Sequence, residues 1–591
     1  MKRLFHPNQV LFIVQLCFLL FFMGLNAEAS NDTLIKKTLV KAFTRGSTDN
    51  YNDSLRVIHA MFKYEYFTQF EGLEIDSIAF IVIEPFEEDI SKSNFFETGK
   101  SIANNLHIKT KETFLRNNIL FKEGDLVEPF LFVESERYLR QNSFIYDASI
   151  ILENTEDDKV NALVFIQDVW SLQVNPDIGF FQEKGNLRLK DTNLGGLGGS
   201  FSITIKKNNE WKDNYKPDIE YKFSRLFNKH GIGHIYYNSD VDYTKYGFGI
   251  NSSYIQEDLK LLGGFNVDVY KISKELIEPD SIHLTLDYHE KDLWAAYNIS
   301  SETEGKKYNK YKHIILGSRI VQKLNHKDPS VDNHYYQDNV SVLVGLTYLN
   351  RAYLQDTYLF ALGKTEDVPV GNKFELVLGR EFQVSPARDY LGLSSTVANY
   401  ISNIGYLLSS TKFGFYLKDN NLDHGILDFD TIYFSPLMSL KPFMFRNFIS
   451  ARYSKAINPY SVDQLLDLKS NIRGFSSDNF KGDKRALLSL ENNIILPINL
   501  IHFKSAFVSF ADFALISDVG ESIIEHNLKS SVGFGLRINN DRLVFPTIQL
   551  SFVYFPDNDY MGTDQYHFIS EKTNFYQFDK MTYHKPHIFN W

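Results

Sequence analysis

From about residue 171 to the end of the 591-residue chain, apolar side chains alternate with polar or small ones in one short segment after another. In Ser531 to Asn539 one side carries Val532, Phe534, Leu536 and Ile538, and the other Ser531, Gly533, Gly535, Arg537 and Asn539. Ser200 to Lys206 sets Phe201, Ile203 and Ile205 against Ser200, Ser202, Thr204 and Lys206, and Thr547 to Tyr554 repeats the pattern with Ile548, Leu550, Phe552 and Tyr554. A period of two belongs to extended strands, whose side chains point alternately to opposite faces. Two environments suit such strands: the half-buried sheet of a soluble sandwich, or a wall between lipid and a polar lumen.

The beginning of the chain helps to choose. Lys2 and Arg3 precede an apolar run from Val10 to Leu25, and Ala27-Glu28-Ala29 stands before Ser30, so residues 1–29 are expected to be a cleaved signal peptide. The single cysteine, Cys17, lies inside that segment, which leaves no disulfide and no thiolate metal ligand afterwards. After residue 29 no apolar run reaches 18 residues, so no transmembrane helix is expected. An exported chain of this kind is soluble or a barrel. Residues 171–591, at roughly 26 residues per strand and connection, make about 16 antiparallel strands, an even number in the barrel range. Phe, Tyr and Trp reach 15% of the chain, a bias that suits strands and membrane interfaces. Closure removes the open edges of a long sheet, and irregular segments such as Pro459 to Leu468 and Lys364 to Asn372 are expected outside the hydrocarbon. The expected location is a bacterial outer membrane, with outer-membrane lipids around the barrel. The net charge of −11 becomes one unit more negative once Lys2, Arg3 and Glu28 leave, which disfavours nucleic acid as a partner.

Residues 73–170 have another rhythm. Leu73 to Ile83 is rich in β-branched and aromatic residues. Thr110 is placed to cap a helix through Leu120, and Pro129 to start another through about Gln141. Strands Tyr146 to Glu153 and Lys159 to Val169 follow, joined by the acidic turn Asn154 to Asp158. The expected unit is a small α+β domain of order β-α-α-β-β. Residues 30–72 precede it, with room for helices and no assigned role.

A β-α-α-β-β module ahead of such a barrel resembles the polypeptide-transport-associated (POTRA) domain of the BamA-like outer-membrane assembly and two-partner secretion superfamily, the bacterial surface antigen family. Asn105-Leu106-His107-Ile108-Lys109-Thr110, Leu120-Phe121-Lys122-Glu123-Gly124-Asp125 and Glu134-Ser135-Glu136-Arg137-Tyr138-Leu139-Arg140 look like the two-helix part of its single-POTRA Bacteroidetes members. Asn193-Leu194-Gly195-Gly196-Leu197-Gly198 resembles the glycine turn at the barrel start, with Asn193, Leu194, Gly196 and Gly198 on the pattern. Ile472-Arg473-Gly474-Phe475 resembles the Val-Arg-Gly-Phe/Tyr motif of the loop that folds back into the lumen, with Ile for Val. The resemblance implies carboxylate partners for Arg473 at Glu491 and at the Asp of an Asp-x-Gly pattern, here Asp512, although Ala514 replaces the glycine and Asp518-Val519-Gly520 is a rival. A guanidinium inside a lumen needs such partners, and its planar fork holds their geometry.

The implied activity is insertion or translocation of polypeptides. Client outer-membrane or secreted polypeptides would be captured by β-augmentation at a POTRA edge, expected at Tyr146 to Glu153, and handled at the barrel seam, with accessory lipoproteins as further partners. The POTRA domain would lie in the periplasm. The alternatives are a dedicated exporter of one secreted partner, or a passive porin or receptor barrel. No Gly-x-Ser-x-Gly or His-Glu-x-x-His pattern occurs, and neither the His230/His234 nor the His584/His587 pair gathers a third ligand, so no enzyme, no cofactor and no metal are expected. The last strand is expected near Gln565 to Phe575, because Pro586 weakens a strand reading of the tail, which would then lie outside.

Overall fold

The computed structural model describes residues 59–83, 85 and 107–589, apart from short stretches within the last range, the longest of them 326–337, 557–565 and 303–310. The signal segment, and the 30–72 segment up to residue 58, lie outside the described residues.

The first unit contains α1 (His59–Thr68), β1 (Glu74–Ile83), α2 (Glu112–Arg116), α3 (Pro129–Arg140), β2 (Ile145–Asn154) and β3 (Lys159–Asp168). Its sheet has the order β1-β3-β2, with β1 and β3 parallel and β2 and β3 antiparallel. Alternation places Val160, Ala162, Val164 and Ile166 of the central strand in the core, fully buried. Each valine or isoleucine among them is worth about 1.5–3 kcal/mol of burial, and the Ala162 methyl about 0.8 kcal/mol. Pro129 starts α3, where its fixed φ fits and its missing N–H is not needed. Phe132 of that helix stacks on Phe121 at 4.0 Å and lies 5.2 Å from Phe67 of α1, so the helix without an assigned role closes this core. The expected Thr110 cap does not form. α2 covers only Glu112–Arg116 and follows Lys111, because the Thr110 hydroxyl donates to Asp168 Oδ1 at 2.9 Å instead.

The rest is one large antiparallel sheet. Its first half comprises β4 (Leu172–Pro176), β5 (Lys184–Leu194), β6 (Gly199–Asn208), β7 (Tyr215–Leu226), β8 (Gly231–Ser239), β9 (Tyr243–Ser252), β10 (Leu261–Glu278), β11 (Asp280–Glu302), β12 (Tyr311–Asn325) and β13 (Asn339–Thr357). β14 (Thr365–Gln383), β15 (Arg388–Ile401), β16 (Gly405–Lys418), β17 (Asn421–Phe434), the short β18 (Met438–Leu440) and β19 (Phe443–Ile457) continue it. A long connection carries a two-stranded ribbon of β20 (Leu466–Asp467) and β21 (Lys481–Gly482). β22 (Lys484–Leu500), β23 (Phe503–Ser517), β24 (Lys529–Asn540), β25 (Ile548–Tyr554) and β26 (Tyr566–Lys572) complete the sheet. Neighbours in sequence are neighbours in space, and β26 stands beside β4, the order of a closed barrel.

Among the described residues the ring holds 21 strands including β18, more than the expected 16 or so. Its hairpins are tighter than a 26-residue repeat allows: one residue separates β10 from β11, and two separate β16 from β17. Of the segment Lys364 to Asn372, expected as a loop, all but Lys364 belongs to β14 and pairs with β13 from Thr357/Thr365 onward. This hairpin is long because its turn end reaches the α+β unit.

The wall is inside-out relative to a soluble sheet. On β24, Ser531, Arg537 and Asn539 are buried while Phe534 and Leu536 are exposed. Gln549 and Ser551 of β25 are buried beside exposed Ile548 and Leu550, and Thr347 and Arg351 of β13 are buried beside exposed Val344 and Leu346. A continuous exposed apolar belt around a polar interior has a physical rationale in lipid, not in water.

Candidate functional site: an arginine loop in the barrel interior

The connection between β19 and β22 turns inward, so that Leu468, Ile472 and Phe475 are buried against Val508, Phe510, Ala514 and Ile516 of β23 and Val553 and Phe555 at the end of β25. Gly474 has φ +77°, and a Cβ there would stand 3.3 Å from Phe555 Cζ, so the turn and the close approach both favour glycine. Ala514, where the motif has glycine, packs into this same cluster. Leu487 breaks the polar face of β22 for the same reason: it packs against the loop.

Those apolar anchors aim Arg473 at two strands. Its Nη1 donates to Glu491 Oε2 at 2.9 Å and its Nη2 to Ser489 Oγ at 2.8 Å. Its Nε lies 3.2 Å from Asp512 Oδ2, and its backbone N–H donates to the same oxygen at 3.1 Å. The guanidinium covers the Phe510 ring at 4.1 Å. Ser489 and Asp512 are directly opposed in the β22/β23 register, and the Ser489 hydroxyl donates to Asp512 Oδ1 at 2.6 Å. Arg473, Glu491 and Asp512 are all at most 3% exposed, so each charge requires its partners. The structure thus brings together Ile472, Arg473, Gly474, Phe475, Glu491 and Asp512. Of the rival motif, Asp518 and Val519 lie outside the described residues.

Sequence reasoning missed a second arginine. Arg537 Nη2 donates to Glu491 Oε1 at 2.8 Å and to Gln549 Oε1 at 2.7 Å, so Glu491 joins two guanidiniums and the network spans β22 to β25. The signal was present: Arg537 sits on the polar face of the strand whose alternation is complete.

The glycine turn is at another place and has another task. Gly195, Gly196 and Gly198 have positive φ between β5 and β6. Asn193 Oδ1 accepts the Gly198 N–H at 2.9 Å, while Asn193 Nδ2 donates to Thr110 Oγ1 at 2.9 Å. The Lys111 N–H donates to the Gly196 carbonyl at 2.9 Å. A Cβ on Gly198 would fall 2.1 Å from the Phe114 ring, and one on Gly196 2.3 Å from the Lys109 carbonyl. The turn therefore docks the α+β unit at the barrel mouth. The Leu194 side chain is exposed, and its carbonyl accepts the Leu197 N–H within the turn at 3.4 Å. Elsewhere along the mouth Arg140 holds Asp367 of β14 through Nη2 at 2.6 Å and Nε at 3.1 Å, Thr365 donates to Asp147, and Lys364 donates to the Ile145 carbonyl. Burial alone would depress the Arg140 guanidinium, but the Asp367 carboxylate more than offsets it and holds the group above its ordinary range.

β2 is an edge strand, as expected, yet its outer backbone groups are occupied. Tyr66 of α1 accepts from the Leu152 N–H at 2.9 Å and donates to the Leu152 carbonyl at 3.1 Å. Glu136 takes the Ile150 N–H at 2.6 Å, and Arg140 donates to the Ala148 carbonyl at 3.2 Å. The edge is closed by side chains, not open to an incoming strand.

Among the described residues no group of three or more His, Asp or Glu is placed to hold a metal ion. His230 lies outside them, and His234 stacks on Tyr236. The tail is not outside the barrel. Residues 579–589 run within the lumen, with Met581, Tyr583 and Phe589 buried. Against the β5–β10 wall a polar cavity of about 1140 Å³ stays open, lined in part by Arg188, Lys206, Asp218, Glu220, Tyr236 and Asp268.

Fold and site together define a large β-barrel, braced inside by an arginine loop and carrying a docked α+β domain at one mouth. No family model and no curated protein matches the sequence. Among solved structures, the chain is similar to CdiB from Escherichia coli (10% identity, TM-score 0.39, 96% of this chain and 98% of that one). It is also similar to BamA from Haemophilus ducreyi lacking POTRA domains 1–3 (10%, 0.35, 91% and 98%), and to CdiB from Acinetobacter baumannii (12%, 0.34, 84% and 72%).

Proposed function

We propose that this chain is an outer-membrane barrel that inserts or translocates other polypeptides, with its α+β unit acting as a single periplasmic POTRA domain. The observation that carries the reading is the Arg473 network. A loop is pinned by two carboxylates across β22 and β23, four and three strands from β26 at the β26/β4 seam, while a protein-sized unit is seated at the mouth beneath. A passive pore has no use for either. The seam strands are short, seven residues in β26 and five in β4, so few ladder hydrogen bonds need part for a client strand to add there. Burial of client strands in lipid would drive the step without nucleotide or cofactor, and no catalytic chemistry is assigned. Capture by β-augmentation at β2 requires Tyr66, Glu136 and Arg140 to yield the edge first. The outer-membrane location, the periplasmic placement, the lipid contacts and any accessory lipoproteins belong to this same reading. Export of one dedicated partner is the second reading, favoured by the polar cavity beside the β5–β10 wall.

The test compares folding of client barrels into liposomes that hold the wild-type chain, Arg473→Ala, or no protein, read by heat-modifiable gel mobility. Acceleration by the wild type, and its loss in a folded Arg473→Ala barrel, is the expected result. A folded wild type that accelerates no native client would end the insertase reading and leave export.

A further inference from the structure

The lumen has a second occupant that the arginine network does not explain. β26 ends at Lys572 on the side of the α+β domain, and residues 579–589 then run up the inner face of β10 to β17. Met581 is fully buried near the domain end of the barrel, in a cluster with Leu359, Tyr406 and Phe434, and its carbonyl accepts from Arg351 Nη1 at 2.9 Å. Lys580 pairs with Asp430 at 2.7 Å. Tyr583 packs on Leu262, Trp294, Ala296 and Ile315. Lys585 pairs with Asp292, and the Pro586 carbonyl accepts from Arg319 at 3.2 Å. Near the far end Phe589 sits among Leu343, Val377, Tyr390, Tyr416 and Ile426, with its N–H donated to the Tyr390 hydroxyl at 2.7 Å.

The wall is shaped for this segment. Gly317 and Gly345 are direct cross-strand partners on β12 and β13, and so are Gly392 and Gly414 on β15 and β16. None of the four has a positive φ, so no turn calls for glycine there. Glycine inside a strand weakens it and marks close approach of another chain. A Cβ on Gly345 would stand 2.9 Å from Pro586 Cγ, and one on Gly317 2.6 Å from the Tyr583 hydroxyl and 3.0 Å from Pro586 Cγ; on Gly392 it would stand 2.9 Å from the Tyr390 hydroxyl, the group that accepts the Phe589 N–H, and 3.0 Å from the Phe589 ring, and on Gly414 2.5 Å from that hydroxyl and 3.3 Å from the ring. Two glycine pairs, two acidic side chains and two aromatic pockets thus match a proline, two lysines and two aromatic residues.

We infer that the inner wall of β10 to β17 is a binding surface for an extended polypeptide, and that residues 579–589 are its resident occupant, closing the lumen until displaced. The surface recognises backbone carbonyls through Arg351 and Arg319, lysines through Asp430 and Asp292, and aromatic side chains at the Tyr583 and Phe589 positions. Where the proposed polypeptide handling holds, a client threading the lumen competes with this segment. Occupancy itself does not depend on that reading.

The experiment is conductance in planar bilayers. Replacing residues 579–589 by a Gly/Ser segment of equal length is expected to raise mean conductance several-fold, and a synthetic 579–589 peptide added on the domain side to return it to the wild-type level, where a scrambled peptide does not. Gly345→Val, which keeps the segment but fills its seat, is expected to raise conductance as well, with a folded barrel verified by heat-modifiable mobility. Unchanged conductance in both folded variants, or equal block by the scrambled peptide, overturns the inference. Client folding in the liposome assay is a separate readout, so its failure leaves this result standing.

Discussion

Arg473 is the residue around which the interior of the barrel is arranged, and its neighbours explain why lysine would not serve. One guanidinium reaches Glu491, Ser489 and Asp512 on two strands while lying over Phe510, a spread that a compact ammonium cannot cover. At the same scale Gly198 decides whether the α+β unit sits at the mouth. Its φ of +75° and the 2.1 Å approach of a built Cβ to Phe114 leave no strain-free place for a side chain. Gly198→Ala should cost about 1–3 kcal/mol at this contact, the usual range for a strained backbone position. Trypsin should then cut faster after Lys109 and Lys111, while heat-modifiable mobility of the barrel stays as in the wild type.

Two elements carry more than their sequences announce. α1 contributes Phe67 to the core of the α+β unit and Tyr66 to the β2 edge, so a helix with no assigned role controls access to the strand expected to capture clients. Tyr66→Phe removes the acceptor of the Leu152 N–H and the donor to its carbonyl. Since one such hydrogen bond is worth about 0.5–1.5 kcal/mol net, hydrogen exchange at Leu152 should rise by up to about tenfold, with far less change at Val164 of the central strand. Equal exchange at Leu152 in both proteins would show that the edge is protected by something else. The β13/β14 hairpin is the other case. Its Tyr353 ring faces the Arg137 guanidinium at 4.0 Å and its Asp367 holds Arg140, so the strands overrun the barrel rim to meet the domain.

At the scale of the whole molecule, three seats fix the domain to the barrel: the glycine turn, the β13/β14 hairpin, and the Trp170 N–H donated to the Arg542 carbonyl at 2.9 Å. Arg140 and Asp367 form a side-chain pair at the second of these that a double-mutant cycle can isolate. Arg140→Ala, Asp367→Ala and the pair should give a coupling of about 1–3 kcal/mol for domain release, read by proteolysis of the linking segment. Because Arg140 is buried and Asp367 nearly so, raising the salt concentration should change that coupling little. The lumen is shared by the arginine loop on the β22 to β25 side, residues 579–589 on the β10 to β17 side, and the polar cavity on the β5 to β10 side.

The sequence alone determined what depends on local periodicity and charge. Alternation in segments such as Ser531 to Asn539 marks the strands and the Pro129 start marks α3, whereas the placing of Arg473 in the lumen against Glu491 and Asp512 is what the motif's resemblance implies, and the structure brings the three together. What it left undecided depends on contacts between residues far apart in the chain. Thr110 looks like a helix cap until Asp168 and Asn193 claim its hydroxyl; Lys364 to Asn372 looks like a loop until β13 pairs with it; and Pro586 argues against a strand without saying that two glycine pairs on four other strands will receive the segment around it. Periodicity reports which face of a strand is polar. Only closure of the sheet brings opposite walls and distant segments into one lumen, and so decides which polar groups meet there and what fills it.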